Sequence, residues 1–173
     1  LAYCVKHKHY SVFETCSVTM EIETPRDIAR QILRHRSFSF QEFSQRYAEA
    51  NNFILRACRE QDNKNRQNSI DLEKDDPLNS WWIEAQDEVI GFAEKRYKQA
   101  LEYGIAKEVA RVLLPEGLTM SKLYMQGSVR SWLHFIQVRD DEGVAQKEVV
   151  DVARKAKVEL LKHFPCLAEV LDN

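Results

Sequence analysis

Residues 34–47 read RHRSFSFQEFSQRY and carry most of what the sequence indicates about this protein. The segment combines three arginines and a histidine with one carboxylate, serines and a tyrosine. Arginine presents a rigid fork of donors that suits phosphate and planar oxygen groups, and it stays charged at neutral pH. This mixture predicts a site for a phosphorylated, ring-bearing ligand.

The chain before this segment predicts a strand followed by a helix. Apolar and polar residues alternate over 11–23, which is the period of a half-buried strand. Thr24 and Pro25 then predict the start of a helix, with Thr24 as its N-cap. The helix delivers Gln31, Arg34 and His35 near its end, so we expect the segment to begin on a rigid element and continue as a loop.

The chain after this segment is mostly helical by pattern. Residues 51–80 are polar and aperiodic, which predicts a long, partly ordered surface loop. Helices are predicted over 80–103, 106–114, 128–138 and 142–164, and a strand over 119–125. The first of these helices has its predicted inner stripe at Trp82, Ala85, Val89, Phe92 and Ala93. Few strands and many helices favour an α+β fold with an antiparallel or mixed sheet.

Composition limits the function classes. The chain has 173 residues and a net charge of −2, so it has no global positive field of the kind that attracts nucleic acid. No apolar run approaches the roughly 20 residues that span a bilayer. Four scattered cysteines indicate reduced thiols in a cytoplasmic protein. His7 and His9 lack further ligands at metal spacing, so no metal site is expected.

Arg34-His35-Arg36, followed after seven residues by Ser44 and then by Arg46-Tyr47, resembles the signature of flavin-dependent thymidylate synthases. Gln41 stands where that family commonly has Asn. Four further segments resemble the family in the same order, namely residues 7–14, 110–115, 127–139 and 145–148.

The resemblance implies an enzyme that methylates dUMP to dTMP, with methylenetetrahydrofolate as carbon donor and NADPH-reduced FAD as hydride source. It also implies a homotetramer with active sites shared between subunits, and one domain over 1–173 that lacks the family's N-terminal strand and helix. The implied FAD residues are Ser11, Arg34, His35, Arg36, Glu42, Ser128, Val129, Arg130 and His134. The implied dUMP residues are Gln31, Arg34, Glu42, Phe43, Ser44, Gln45, Arg46, Arg111 and Arg139, with Arg111 reaching the phosphate from a neighbouring subunit.

The residue that the resemblance assigns to chemistry is Arg139. The sequence places no obvious base that would convert one of the four cysteines into a thiolate nucleophile. An arginine against the pyrimidine can instead stabilise negative charge as it develops on the ring. Ser44 has no general base positioned by sequence, so we assign it to dUMP binding.

A non-catalytic alternative is a nucleotide or single-stranded nucleic-acid binding module. Its arginines would be interleaved with the aromatic residues Phe38, Phe40, Phe43 and Tyr47 as a stacking platform. The acidic net charge and Glu42 within the cluster disfavour this alternative, because a carboxylate repels backbone phosphate.

Overall fold

The computed structural model describes residues 1–50 and 52–172. Its helices are α1 (Ala2–Lys6), α2 (Arg26–Ile32), α3 (Pro77–Glu102), α4 (Lys107–Ala110), α5 (Val129–Arg139), α6 (Lys147–His163) and α7 (Ala168–Leu171). Its strands are β1 (Ser17–Pro25), β2 (Ser39–Glu42), β3 (Arg59–Gln61), β4 (Ser69–Asp71) and β5 (Met120–Ser128). Short 3-10 helices cover Tyr10–Glu14, Arg111–Leu113 and Pro165–Leu167. Asn51 and Asn173, the first residue of the predicted loop and the last of the predicted domain, lie outside the described residues.

Strands β1, β5 and β2 form one sheet in that order. The Val129 amide donates to the Cys16 carbonyl at 2.8 Å, and the Arg26 amide donates to the Thr119 carbonyl at 3.0 Å. Each bond joins the start of one strand to the end of the other, so β1 and β5 run antiparallel. The α+β prediction is therefore confirmed, with small antiparallel sheets and several helices.

Backbone contacts divide the chain into two compact units whose bounds fall within β1, α2, β2 and β5. The first unit comprises Leu1–Ile22, Gln31–Gln41 and Leu123–Asn173, and the second comprises Glu23–Arg30 and Glu42–Lys122. The prediction of one domain over 1–173 stays a prediction.

The core of the first unit lies between α5 and α6. Trp132 and Phe135 of α5 are fully buried, as is Phe13 of the preceding 3-10 helix. On α6, Val149, Val150, Ala153, Ala156 and Leu160 are buried. The sequence pattern predicts an inner face of Val149, Val152, Ala153, Ala156, Leu160 and Leu161, of which Val152 and Leu161 are only partly buried. Ser128 caps α5 by accepting a bond from the Ser131 amide at 3.2 Å, and Arg139 is its last residue.

The core of the second unit lies along α3. Tyr97, Ala100 and Ala110 are buried together. Arg56 connects the polar segment before the hairpin to this helix, because its carbonyl accepts bonds from Trp82 Nε1 at 2.8 Å and Gln86 Nε2 at 3.0 Å.

Two predictions around β1 were wrong. Residues 11–14 belong to a 3-10 helix rather than a strand, because the Thr15 side chain and amide both bond to the Val12 carbonyl and Phe13 is fully buried in the turn. Thr24 is not a helix N-cap, because β1 continues to Pro25 and keeps Thr24 buried in the sheet.

Three predictions further along the chain also need correction. The predicted loop of residues 51–80 contains the β3–β4 hairpin, with Glu60 opposite Ile70, and α3 begins at Pro77 behind its cap Asp76. The signature continues through strand β2 rather than as a loop alone. The inner face of α3 is offset from the predicted stripe, because Val89 and Phe92 are 49% and 65% exposed whereas Tyr97 is buried.

Candidate active site

The signature segment starts just after α2 and reaches β2 through a tight turn. The helix ends at Ile32, so it carries Gln31 but not Arg34 and His35 as predicted. The Phe38 amide closes this turn on the His35 carbonyl at 3.3 Å, while Arg34 and Arg36 are exposed on either side. The Phe38 ring packs edge-on against Trp132 at 4.9 Å between centroids. The two arginines are thus presented to solvent from a turn that the core holds in place.

The turn brings His35 against the end of α5. The Arg139 Nε–H donates to His35 Nε2 at 2.9 Å, and the imidazole lies edge-on to Phe135 with ring centroids 5.0 Å apart. Because an arginine can only donate, Nε2 of His35 must be the unprotonated nitrogen. Burial lowers the pKa of His35 to about 4, with further lowering from the positive charge of Arg139 and from His134. At neutral pH His35 is therefore an uncharged acceptor for Arg139.

The carboxylates next to Arg139 in sequence are bound by another cation. Arg154 of α6 donates to Asp140 and to Glu142, each at 2.7 Å. These hydrogen bonds raise the pKa of Arg154 above its ordinary value. Arg139 consequently keeps a charge that is not neutralised by Asp140.

The start of α5 carries a second group of site residues. Glu14 accepts a bond from the Ser128 hydroxyl at 2.8 Å and lies 3.3 Å from the Arg130 guanidinium. Arg130 and His134 line a cavity of about 480 Å³ in the first unit, together with Tyr10, Glu14, Ser37, Ser131, Leu133, Gln137 and Val170. The cavity is polar along α5 and offers cationic, hydroxyl and amide groups to a ligand.

Two of the predicted flavin residues have other surroundings. Val129 is fully buried and its amide donates to Cys16, so it supports the core beneath this part of α5. Ser11 is exposed on the 3-10 helix Tyr10–Glu14.

Gln31, predicted to bind dUMP, is held by a residue of the segment before α6. Its Nε2 donates to Gln146 Oε1 at 2.7 Å. This bond orients the Gln31 amide within the first unit. In the same unit, the hydrogen bond between Arg139 and His35 orients those two side chains.

Glu42 is held within the second unit by two donors. The Ser121 hydroxyl donates to Glu42 Oε1 at 2.6 Å, and Arg26 Nη1 reaches the same oxygen at 3.3 Å. The Glu42 side chain is 28% exposed, so it is partly shielded and bound as a carboxylate.

Arg46 and Arg111, both predicted to bind dUMP, each contact Glu108. Arg46 donates to Glu108 Oε2 from Nε at 3.1 Å and from Nη2 at 3.0 Å. Arg111 Nε donates to the Glu108 backbone carbonyl at 3.2 Å. Arg46 is therefore bonded to the Glu108 carboxylate, and Arg111 to the Glu108 backbone.

The remaining signature residues have simple surroundings. Phe43 is 58% exposed, and Gln45 is half-buried. The Ser44 hydroxyl accepts a bond from the Arg46 amide at 3.2 Å, with no imidazole or carboxylate bonded to it in the described chain. The structure therefore offers no general base that would activate Ser44.

Sequence reasoning did not identify the partners that hold these residues. Glu14 and Gln146 lie in segments that carry the resemblance, which was an available signal. No sequence feature identified Glu108, Arg26 or Ser121 as partners of the site. Their pairing with Arg46 and Glu42 depends on contacts between residues distant in sequence. Among the described residues no group of His, Cys, Asp and Glu side chains could hold a metal ion. No helix of the described chain combines the length and hydropathy needed to cross a membrane.

Known proteins with similar sequence share one description. The family model for thymidylate synthase complementing protein matches residues 1–166. A probable flavin-dependent thymidylate synthase of Paramecium bursaria Chlorella virus 1 is 46% identical over 99% of this chain and 79% of its own. A flavin-dependent thymidylate synthase of Synechocystis is 48% identical, again over 99% of this chain and 79% of its own.

Solved structures agree with the sequence comparison. A UMP/dUMP methylase, PolB from Streptomyces cacaoi bound with 5-Br UMP, superposes with a TM-score of 0.79 and 28% identity. That similarity covers 93% of this chain and 75% of the methylase. With a family match over nearly its whole length, this chain belongs to the thymidylate synthase complementing protein family.

Proposed function

We propose that this chain is a flavin-dependent thymidylate synthase. It would convert dUMP to dTMP, taking the carbon from methylenetetrahydrofolate and the hydride from FAD reduced by NADPH. The observation that carries the proposal is the family match over residues 1–166 together with the contact between His35 of the signature and Arg139.

The residues of the first unit suit part of a flavin dinucleotide. The cavity of about 480 Å³ presents Arg130, Ser37 and Ser131, which are donors for phosphate and ribose oxygens. Arg34 and Arg36 are exposed cations that would add to this set. The chemistry that FAD supplies when bound is hydride transfer, which completes the methyl group.

The dUMP residues divide into base and phosphate groups by their chemistry. Gln31 offers an oriented amide that can pair with the edge of a pyrimidine. Arg46 and Arg111 are cations suited to a phosphate, and each already contacts Glu108. Binding the phosphate would then exchange one anionic partner of Arg46 for another.

Arg139 is the residue that we propose to activate the pyrimidine. Carbon 5 of uracil is a weak nucleophile until negative charge is stabilised on the ring. A fixed guanidinium can do this without covalent attack, and one well-placed donor contributes on the order of 3 kcal/mol. Its Nε–H is bonded to neutral His35, which leaves the Nη groups to face a ligand.

The first experiment follows the flavin and the product separately. Purified protein with FAD should show flavin absorption that bleaches under NADPH, and Arg139→Ala should retain this absorption yet lose dTMP formation. Arg66→Ala, at an exposed position of the β3–β4 hairpin, is the matched control and should retain turnover. Full dTMP formation by Arg139→Ala would remove Arg139 from the role, and a wild-type protein that makes no dTMP would overturn the function.

The assembly and its location complete the proposal. We place the enzyme in the cytoplasm, since its four cysteines are free thiols. We also propose a homotetramer in which subunits share active sites, which would supply surfaces that the cavity of one chain lacks.

A further inference from the structure

We propose that His35 is a positioning residue, which holds the Arg139 guanidinium in the orientation that pyrimidine activation requires. This inference rests on the proposed function, because it assigns to His35 a role in the step performed by Arg139. The resemblance alone places His35 with the flavin, whereas the structure gives its ring a contact with Arg139.

The geometry of the contact leaves the reactive edge of the arginine available. A guanidinium has one Nε–H and four Nη hydrogens in a single plane. The Nε–H bond to His35 Nε2, 2.9 Å long, therefore fixes that plane while the Nη edge stays open. A carboxylate in the place of His35 would also fix the guanidinium plane. It would, however, neutralise the positive charge of Arg139, on which stabilisation of the pyrimidine depends.

The imidazole itself is fixed by packing. His35 lies edge-on to Phe135, with ring planes at 80°, and Phe135 is fully buried. Phe135 and Arg139 are one helical turn apart on α5 and share a face, so one helix supplies both the support and the group that is positioned. A ring clamped in this way has little freedom to follow a mobile arginine.

The surrounding charges favour the neutral acceptor. Burial and the positive charge of Arg139 lower the pKa of His35, so the ring does not compete with Arg139 as a second cation. Asp140, which follows Arg139 directly, is bonded to Arg154 at 2.7 Å and does not neutralise the site. In the described chain His35 is the hydrogen-bond partner of the Arg139 guanidinium.

The test compares two substitutions that differ in one acceptor. His35→Phe keeps an aromatic ring against Phe135 and removes the acceptor, whereas His35→Gln places an amide oxygen near the position of Nε2. Methylation at carbon 5 of dUMP replaces the hydrogen there, so tritium released from [5-³H]dUMP reports the step that Arg139 serves. Flavin content, dUMP affinity by calorimetry and the rate of flavin reduction by NADPH without dUMP are measured on the same samples.

We expect His35→Phe to lower tritium release per bound flavin by about 10- to 100-fold, because misorientation of a catalytic group by about 1 Å has effects of that size. Measured per bound flavin, the rate of flavin reduction without dUMP should fall far less than tritium release, since Arg139 takes no part in it, and dUMP affinity should also change less than tritium release. His35→Gln should recover most of the lost rate. His163→Phe, the same change at an exposed position on α6, should match wild type.

The proposal is overturned if His35→Phe releases tritium at the wild-type rate, or if His35→Gln is as slow as His35→Phe. It is also overturned if excess FAD restores tritium release by His35→Phe to the wild-type rate, because His35 would then act only on flavin binding. If His35→Phe does not fold, His35→Asn replaces it, because its shorter amide lies near Nδ1 and does not reach Arg139. His35→Gln should then be faster than His35→Asn, and equal rates overturn the proposal. A wild-type enzyme that releases no tritium would overturn the proposed function itself, and this inference with it.

Discussion

The arginines of this chain differ in what neutralises them. Arg130 pairs with Glu14 and Arg154 with Asp140 and Glu142, so each of these cations has an anionic partner in the same unit. Arg139 is instead bonded to a neutral imidazole. A cation kept in position without an anion is suited to stabilising charge that appears only in a transition state.

Glu108 provides a test of the phosphate assignment. It competes with phosphate for Arg46, to which it is bonded at 3.0–3.1 Å. Glu108→Gln should therefore lower the KM for dUMP, by up to about fivefold because an exposed pair contributes 0–1 kcal/mol. Steady-state kinetics check this, with Glu94→Gln as control because it weakens a similar exposed pair on α3. An unchanged or raised KM for dUMP would contradict the proposal that Arg46 binds the phosphate.

His35 predicts a pH dependence of stability. Its pKa is about 4 when folded and near the ordinary 6.5 when unfolded, so between these values the unfolded chain binds the proton more readily. The free energy of unfolding should therefore be fully retained above about pH 6.5 and fall as the pH drops to about 4. We expect this contribution to be roughly 1–2 kcal/mol once solvent screening of a half-buried ring is allowed for.

Urea unfolding of wild type and His35→Gln measures that contribution. The stability gap between the two proteins should shrink, or reverse in sign, between about pH 7 and about pH 4. His163→Gln, the same substitution at an exposed residue of α6, is the control. A gap for His35→Gln that does not change with pH would contradict the lowered pKa.

At the scale of elements, the sequence predicted the long helices better than the short strands. The 3.6-residue period of α6 reports one buried face, and Val149, Ala153 and Leu160 are buried as expected. The alternation over residues 11–23 was misleading because Val12 and Phe13 contact the core from a 3-10 helix, where no period distinguishes them from strand residues. Strand β2 was missed because it is only four residues long and its place depends on β5, which is distant in sequence.

The sequence predicted candidate site residues but not the residues that hold them in place. The spacing of the signature identified Arg34, His35 and Arg36 as candidate site residues. The structure places His35 in hydrogen-bond contact with Arg139. The partners of neighbouring site residues could not be read from spacing, because Arg154 reaches Asp140, and Gln146 reaches Gln31, through tertiary contacts.

Strand β5 supports the signature turn at Gly127, where the Phe38 ring lies close to the backbone. A Cβ at this position would lie 2.5 Å from Phe38 Cδ1, so Gly127→Ala must displace the Phe38 ring. We expect a loss of about 1–3 kcal/mol of stability, as for other overpacked cores, together with weaker dTMP formation. Gly91→Ala is the matched control, because nothing lies within 4 Å of its added Cβ in the middle of α3. That control should gain about 0.5–1 kcal/mol in chemical denaturation. Equal stability of Gly127→Ala and wild type would contradict the close approach of Phe38.

At the scale of the whole molecule, α3 exposes an apolar stripe that one chain does not cover. Leu78, Trp81, Val89 and Phe92 recur at helical spacing and are 47–65% exposed. Scattered exposed apolar residues are ordinary, but an aligned stripe with two large aromatic side chains is typical of an interface. This supports the proposal that subunits associate and share sites.

Light scattering tests that association. At micromolar concentration the wild type should have about four times the mass of one 20.3 kDa chain. Val89→Glu should shift the assembly towards smaller species and lower dTMP formation in parallel, because a buried charge with no cation one helical turn away disfavours association. Val158→Glu places the same charge on an exposed apolar residue of α6 and should leave the mass unchanged. A wild-type monomer would contradict shared active sites, and an unchanged mass for Val89→Glu would place the interface away from the α3 stripe.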